Sequence, residues 1–180
     1  MTATTETRAP VPAAEESRQG RAFTRGLAVS RIMLGWIFLW SFLDSMFGLG
    51  FSTEREAAWI NGGSPAAGWL EHGTYGPLAP MFEAMAGSAV VDTLYMIAML
   101  GMGLALILGI GLRVNAVLGS LVVVMMWAGG LLPENNPIVT YHLLYAVLFV
   151  TYALGDAGHT WGLGRRWEQL EVVRRNRWLK

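Results

Sequence analysis

Two residues in this sequence carry the chemistry of proton transfer and sit where such groups are costly. Asp44 lies in the run RIMLGWIFLWSFLDSMFG, and His142 lies in NPIVTYHLLYA. Both fall inside long apolar stretches, deeper than a helix cap. An ionisable side chain in a membrane span costs about 2.5–3.5 kcal/mol on insertion scales, so it needs a partner or a purpose. A carboxylate beside an imidazole offsets the burial of both and raises the proton affinity of the histidine. Asp44 and His142 are therefore expected to meet, each from its own helix.

Other polar and aromatic residues recur around them at helical spacing. Trp36, Trp40 and Asp44 are four apart and line one face. Asp92 and Tyr95 are three apart, with Met99 and Met102 continuing their stripe. His142, Tyr145, Phe149, Tyr152 and Asp156 follow at steps of three and four, and Trp127 closes the segment before them. Plainer roles compete with chemistry at several of these positions. Asp92 sits near a helix start, where the macrodipole favours a carboxylate. Arg31 has a stem long enough to reach the interface, and Tyr and Trp near span ends belong to the usual aromatic belt.

The elements that must position these residues follow from composition. Of 180 residues, 53% are hydrophobic and 14% charged, an apolar share above that of an ordinary soluble domain. A bilayer core about 30 Å thick takes roughly 20 apolar helical residues. Four segments approach that length: 26–49, 90–111, 114–132 and 138–157. The expected fold is all-α, an integral membrane four-helix bundle over 22–157. Residues 1–21 read as a disordered tail and 158–180 as a basic interfacial tail. The third and fourth segments are joined by PENNP, where Asn136 is expected to cap the helix and Pro137 to open it.

Every Lys and Arg except Arg55 lies before the first segment or at its start, between the second and third, or after the fourth. By the positive-inside rule both termini face the cytoplasm. That leaves residues 50–88 outside, as a long extracytoplasmic loop of short interfacial helices carrying Glu54, Glu56, Glu71 and Glu83 against Arg55. Gly101, Ala105 and Gly109, and Ala116 with Ser120, form small-residue lines suited to close helix packing, with a homo-oligomer contact as an alternative use.

Formal net charge is zero and no basic patch with interleaved aromatics appears, so nothing points to nucleic acid. Cysteine is absent, which excludes disulfides, thiolate metal sites and dithiol chemistry. The three histidines, at 72, 142 and 159, are scattered, and no metal site is expected.

The runs RIMLGWIFLWSFLDSMFGLGF, WINGGSPAAGWL, LGMGLALILGIGLR and NPIVTYHLLYA together resemble the DoxX-like family of small four-helix membrane proteins, and within it the DoxD type found in thiosulfate:quinone oxidoreductase. The resemblance covers about residues 25–165. The positions that match are Arg31, Gly35, Asp44, the Gly62-Gly63-Ser64-Pro65 loop, Asn136, Pro137 and His142. It implies a prokaryotic cytoplasmic-membrane protein passing electrons from a sulfur compound to quinone, with a second subunit or periplasmic partner. On that reading His142 and Asp44 are catalytic, His142 supplying protons and Asp44 holding its ring. Trp40, Trp127, Tyr145, Tyr95 and Asp92 surround the quinone, and Arg55 meets the substrate anion. The alternative is a non-catalytic membrane scaffold or accessory subunit of a redox or stress-response complex.

Overall fold

A computed structural model of the chain describes residues 13–131, 136 and 138–180, with side chains from residue 17 onward. The described residues form helices and no strand. The elements are α1 (Ala13–Phe47), α2 (Ala67–His72), α3 (Ala79–Glu83), α4 (Ala89–Leu108), α5 (Leu112–Gly129), α6 (Tyr141–Leu154), α7 (Gly164–Trp167) and α8 (Glu171–Arg175), with short 3-10 turns between some of them. Three helices, α1, α4 and α5, are long and apolar enough to cross a membrane, and the apolar α6 is shorter at 14 residues.

Two boundaries differ from those expected. The first helix already begins at Ala13, so residues 13–21 are helical rather than a tail. Ala, Glu, Gln and Arg are good helix formers, and extending an existing helix is cheap where starting one is not. This extension is exposed from residue 17 to residue 26; residues 1–12 lie outside the described part. Asn136 does not cap a helix. Its Oδ1 accepts the backbone N–H groups of Ile138 and Val139, both at 3.1 Å, and α6 starts only at Tyr141. Pro137 lies outside the described residues.

Packing is antiparallel within two pairs, α1 with α4 and α5 with α6, and α4 also meets α5. The α1–α4 seam is set by glycines. A Cβ on Gly103 would stand 2.8 Å from the Leu39 backbone nitrogen, and one on Gly35 would stand 2.8 Å from Leu106 Cβ. Gly101, which shared the expected small-residue line with Ala105 and Gly109, has open space around it. The α5–α6 seam uses Gly119 against Phe149 and the Ser120 hydroxyl donating to the Ala146 carbonyl. Between the pairs lies one apolar core that includes Leu34, Phe38, Met99, Met102, Leu106, Val123, Phe149 and Tyr152.

A second, smaller core forms in the segment between α1 and α4. Ala66, Leu70 and Phe82 are buried there, with Trp69 edge-on to Phe82 at 5.8 Å. Trp69 also packs on Gly129 at the end of α5, and the Tyr75 N–H donates to the Gly129 carbonyl at 3.0 Å. The segment is thereby held against both helix pairs.

Candidate functional site

Asp44 occupies the last turn of α1 and is 1% exposed. Gly48, in the left-handed region at φ 62°, ends the helix with its N–H on the Asp44 carbonyl at 2.8 Å, the usual use of glycine at a helix C-terminus. The chain then turns back over the carboxylate. Asp44 Oδ2 accepts the backbone N–H groups of Ser52 at 2.8 Å and Thr53 at 2.9 Å, and Oδ1 accepts that of Phe51 at 3.3 Å. This carboxylate is committed to building a turn.

His142 sits in the first turn of α6, buried, with Nδ1 at 3.3 Å from the Thr140 hydroxyl and its ring stacked on Tyr141 at 4.1 Å between centroids. Among the described residues no hydrogen bond or ion pair joins it to Asp44. The expected acid–imidazole pair is corrected accordingly: backbone donors from the chain just after α1 satisfy the acid before any other helix can.

Asp92 repeats the arrangement one helix on. It is 5% exposed in the first turn of α4. Its Oδ1 accepts both the Ser64 hydroxyl and the Ala66 N–H at 2.9 Å. Two buried carboxylates thus pin the two halves of one loop, Asp44 the stretch 51–53 and Asp92 the stretch 64–66. A carboxylate accepting backbone N–H groups makes charge-assisted bonds about twice as strong as neutral ones.

The remaining expected residues are each engaged separately. The Tyr95 hydroxyl bonds to that of Ser41 at 3.1 Å, across the α1–α4 seam. Trp40 stands edge-on to Phe51 at 5.0 Å and beside Trp36 at 5.8 Å. Trp127 donates from Nε1 to the Ile138 carbonyl at 2.9 Å. Tyr145 packs edge-on to Phe38 at 5.7 Å, which does bring the His142–Tyr145–Phe149–Tyr152 row inward toward α1. Arg55 is exposed on a 3-10 turn, and its carbonyl accepts from Asn61 Nδ2 at 2.6 Å. The five residues expected around a quinone, Trp40, Tyr95, Trp127, Tyr145 and Asp92, are thus each engaged in a separate contact within the chain.

Sequence reasoning missed the role of Arg31. Rather than reaching the interface, it is fully buried. Nη1 donates to the carbonyls of Leu106 and Ile107 at the end of α4, and Nη2 to those of Thr160 and Trp161 at 3.3 and 3.2 Å. The Leu106 and Ile107 carbonyls are among those a helix terminus leaves unpaired, where a cation is favoured by the dipole, while Thr160 and Trp161 belong to the loop before α7. The available signal was an arginine in an apolar helix with no acid one turn away.

At that same end the chain after α6 folds back. The Leu163 N–H donates to the Leu108 carbonyl, and Val173 is buried. Glu168 Oε1 lies 3.0 Å from His159 Nε2, and Oε2 lies 3.2 Å from Lys180 Nζ. Burial alone would raise the Glu168 carboxyl, but hydrogen bonds and charge from His159 and Lys180 outweigh it and hold the group below its ordinary value. Comparison with protein-family models, curated proteins and solved structures finds no match to this chain.

Proposed function

We propose that the chain is a four-span DoxX-like protein of the prokaryotic cytoplasmic membrane, with both termini in the cytoplasm, acting as a non-catalytic scaffold or accessory subunit of a redox or stress-response complex. The folded segment 50–88 faces a partner on the extracytoplasmic side. One observation carries the reading: Arg31, Asp44 and Asp92, buried and ionisable, direct their hydrogen bonds to the chain's own loops and, for Arg31, to the end of α4 as well. The four-span arrangement draws support from the approach to α6. That helix alone covers about 21 Å at 1.5 Å per residue. Before it, Asn136 takes the N–H groups of Ile138 and Val139 and Trp127 takes the Ile138 carbonyl, which lowers the cost of bringing this irregular stretch toward the interface.

A second reading keeps a quinone-linked oxidoreductase, from a sulfur compound such as thiosulfate to quinone. It is favoured by His142, whose Nε2 makes no hydrogen bond among the described residues while its ring lies against Tyr141, which in turn meets Tyr145. There His142 exchanges a proton at Nε2, with the tyrosine rings bordering the headgroup, and Asp44 has no part.

The test is thiosulfate-dependent reduction of a soluble quinone by membranes from a deletion strain, complemented with the wild-type chain or with His142→Ala. The scaffold reading expects the deletion to lower the rate and both complements to restore it. The redox reading expects His142→Ala to remain at the level of the deletion. A deletion without effect refutes the redox reading and removes the thiosulfate-linked redox complex from the scaffold reading.

A further inference from the structure

Asp156, His159 and Glu168 come together at the end of the molecule where α6 gives way to α7. Asp156 follows α6 in the left-handed region at φ 44°, His159 ends the next turn, and Glu168 follows α7. One ligand atom from each lies within 4.8 Å of the other two. Three donors around one transition-metal ion, at bond lengths of about 2.0–2.2 Å, are separated by roughly 3–4.4 Å, so a shift of a few tenths of an ångström closes the set. His159 Nε2 and Glu168 Oε1, at 3.0 Å, already stand as neighbouring ligands do.

Two further observations point to a cation. A cavity of about 20 Å³ is bordered by all three side chains, with Gly109, Gly158 and Lys180 among the rest of its lining. That is room for one water or one small ion. Moreover, a cation from the chain itself is drawn to the place: the Lys180 ammonium sits on Glu168 Oε2, leaving Oε1 toward His159. Asp156 and Glu168 bring two negative charges, and Lys180 answers one. Arg113 also borders the cavity, but its Nη1 is turned to the Arg177 carbonyl at 3.2 Å.

We infer that Asp156, His159 and Glu168 form a binding site for one divalent transition-metal ion, for which the Lys180 ammonium is the intramolecular competitor. Two carboxylates with one imidazole suit Mn²⁺, Fe²⁺ or Zn²⁺ and place Mg²⁺ and Ca²⁺, which favour all-oxygen sets, well behind. The bound ion ties the turn after α6 to α7, on the same return of the chain that Arg31 holds through Thr160 and Trp161. No sequence motif announces it, because the ligands come from two turns nine residues apart rather than from one helix face.

The experiment is Mn²⁺ binding to the full-length protein in detergent micelles, read by the loss of the free-ion paramagnetic resonance signal, with Zn²⁺ as competitor. One saturable site per chain is expected, displaced by a lower concentration of Zn²⁺ than of Mg²⁺. Asp156→Asn is expected to weaken binding at least tenfold. Its side chain is exposed and makes no hydrogen bond among the described residues, and Asn is at ease in the left-handed region, so the fold is retained. Lys180→Met is expected to tighten binding several-fold, a gain that misfolding does not produce. Absence of saturable binding, or equal affinity in wild type, Asp156→Asn and Lys180→Met, overturns the assignment.

Discussion

The turn built on Asp44 gives the sharpest test of how this chain spends its buried charge. Replacing Asp44 with Ala removes the acceptor for the N–H groups of Ser52, Thr53 and Phe51. A hydrogen bond to a charged group contributes about 1.5–3 kcal/mol. Ser52 and Phe51 are exposed, so water recovers part of the loss, and the 3.3 Å bond from Phe51 adds little. Taking the low value for the two short bonds gives about 3 kcal/mol, or on the order of a 100-fold rise in the open population of the loop at about 1.4 kcal/mol per tenfold. Trypsin reads this directly, because Arg55 is the sole Lys or Arg between Arg31 and Arg113. Cleavage after Arg55 tracks the open population where reclosing outpaces cutting. We expect cleavage to accelerate by roughly 100-fold in Asp44→Ala and by less in Asp44→Asn, which retains one acceptor oxygen. His142→Ala is expected to leave the rate unchanged. A rate for Asp44→Ala within twofold of wild type, or an equal acceleration by His142→Ala, refutes the assignment of this carboxylate to the loop backbone.

Three other outcomes follow from the packing. Gly103→Ala forces a Cβ onto the Leu39 backbone and is expected to cost about 1–3 kcal/mol by overpacking, whereas Gly101→Ala meets open space inside α4 and is expected to be neutral to stabilising, by up to about 1 kcal/mol; thermal unfolding in detergent compares the two. Arg31→Lys keeps the charge but replaces a planar fork that serves four carbonyls with a single ammonium, and a loss of folded protein at 37 °C by size-exclusion profile is expected, against an unchanged profile for Arg25→Lys. Glu168 is held below its ordinary value, so its contribution to stability is present above the usual glutamate range and is lost as pH falls through its lowered value; with a chelator present, proteolysis of the stretch 160–180 is expected to rise on that acidic side and to be unaffected there in Glu168→Gln.

The helices were readable from the sequence because apolar runs of span length have few other solutions, and so were His142, Tyr145, Phe149 and Tyr152 of the expected row, because their spacing is helical; its fifth member, Asp156, lies beyond the end of α6 in the left-handed region and is exposed, so it leaves that face. The partners of the charged residues were not readable. Asp44 bonds to backbone N–H groups, Asp92 to one as well as to the Ser64 hydroxyl, and Arg31 to backbone carbonyls, and nearly every residue offers such backbone groups, so residue type seldom marks the partner. The small-residue line was read as Gly101, Ala105 and Gly109 with no partner helix assigned, whereas α1 packs on Gly103, Gly109 meets Gly158 and Arg31, and Gly101 faces open space. In a helix apolar on every side, the pattern fixes that glycine packs against something but leaves the face open. The N-terminal extension of α1 was hidden for the opposite reason: its polar composition marks the lack of a buried face, which a helix continued from a buried neighbour does not require.

The acceptors of Arg31 also set an order of assembly. Two of them come with the end of α4, but the other two arrive only with Thr160 and Trp161. During synthesis, part of the guanidinium stays without its acceptors until some 130 further residues have emerged. The complete set of four exists only once the chain has returned past Trp161, so a helix made first is finished last.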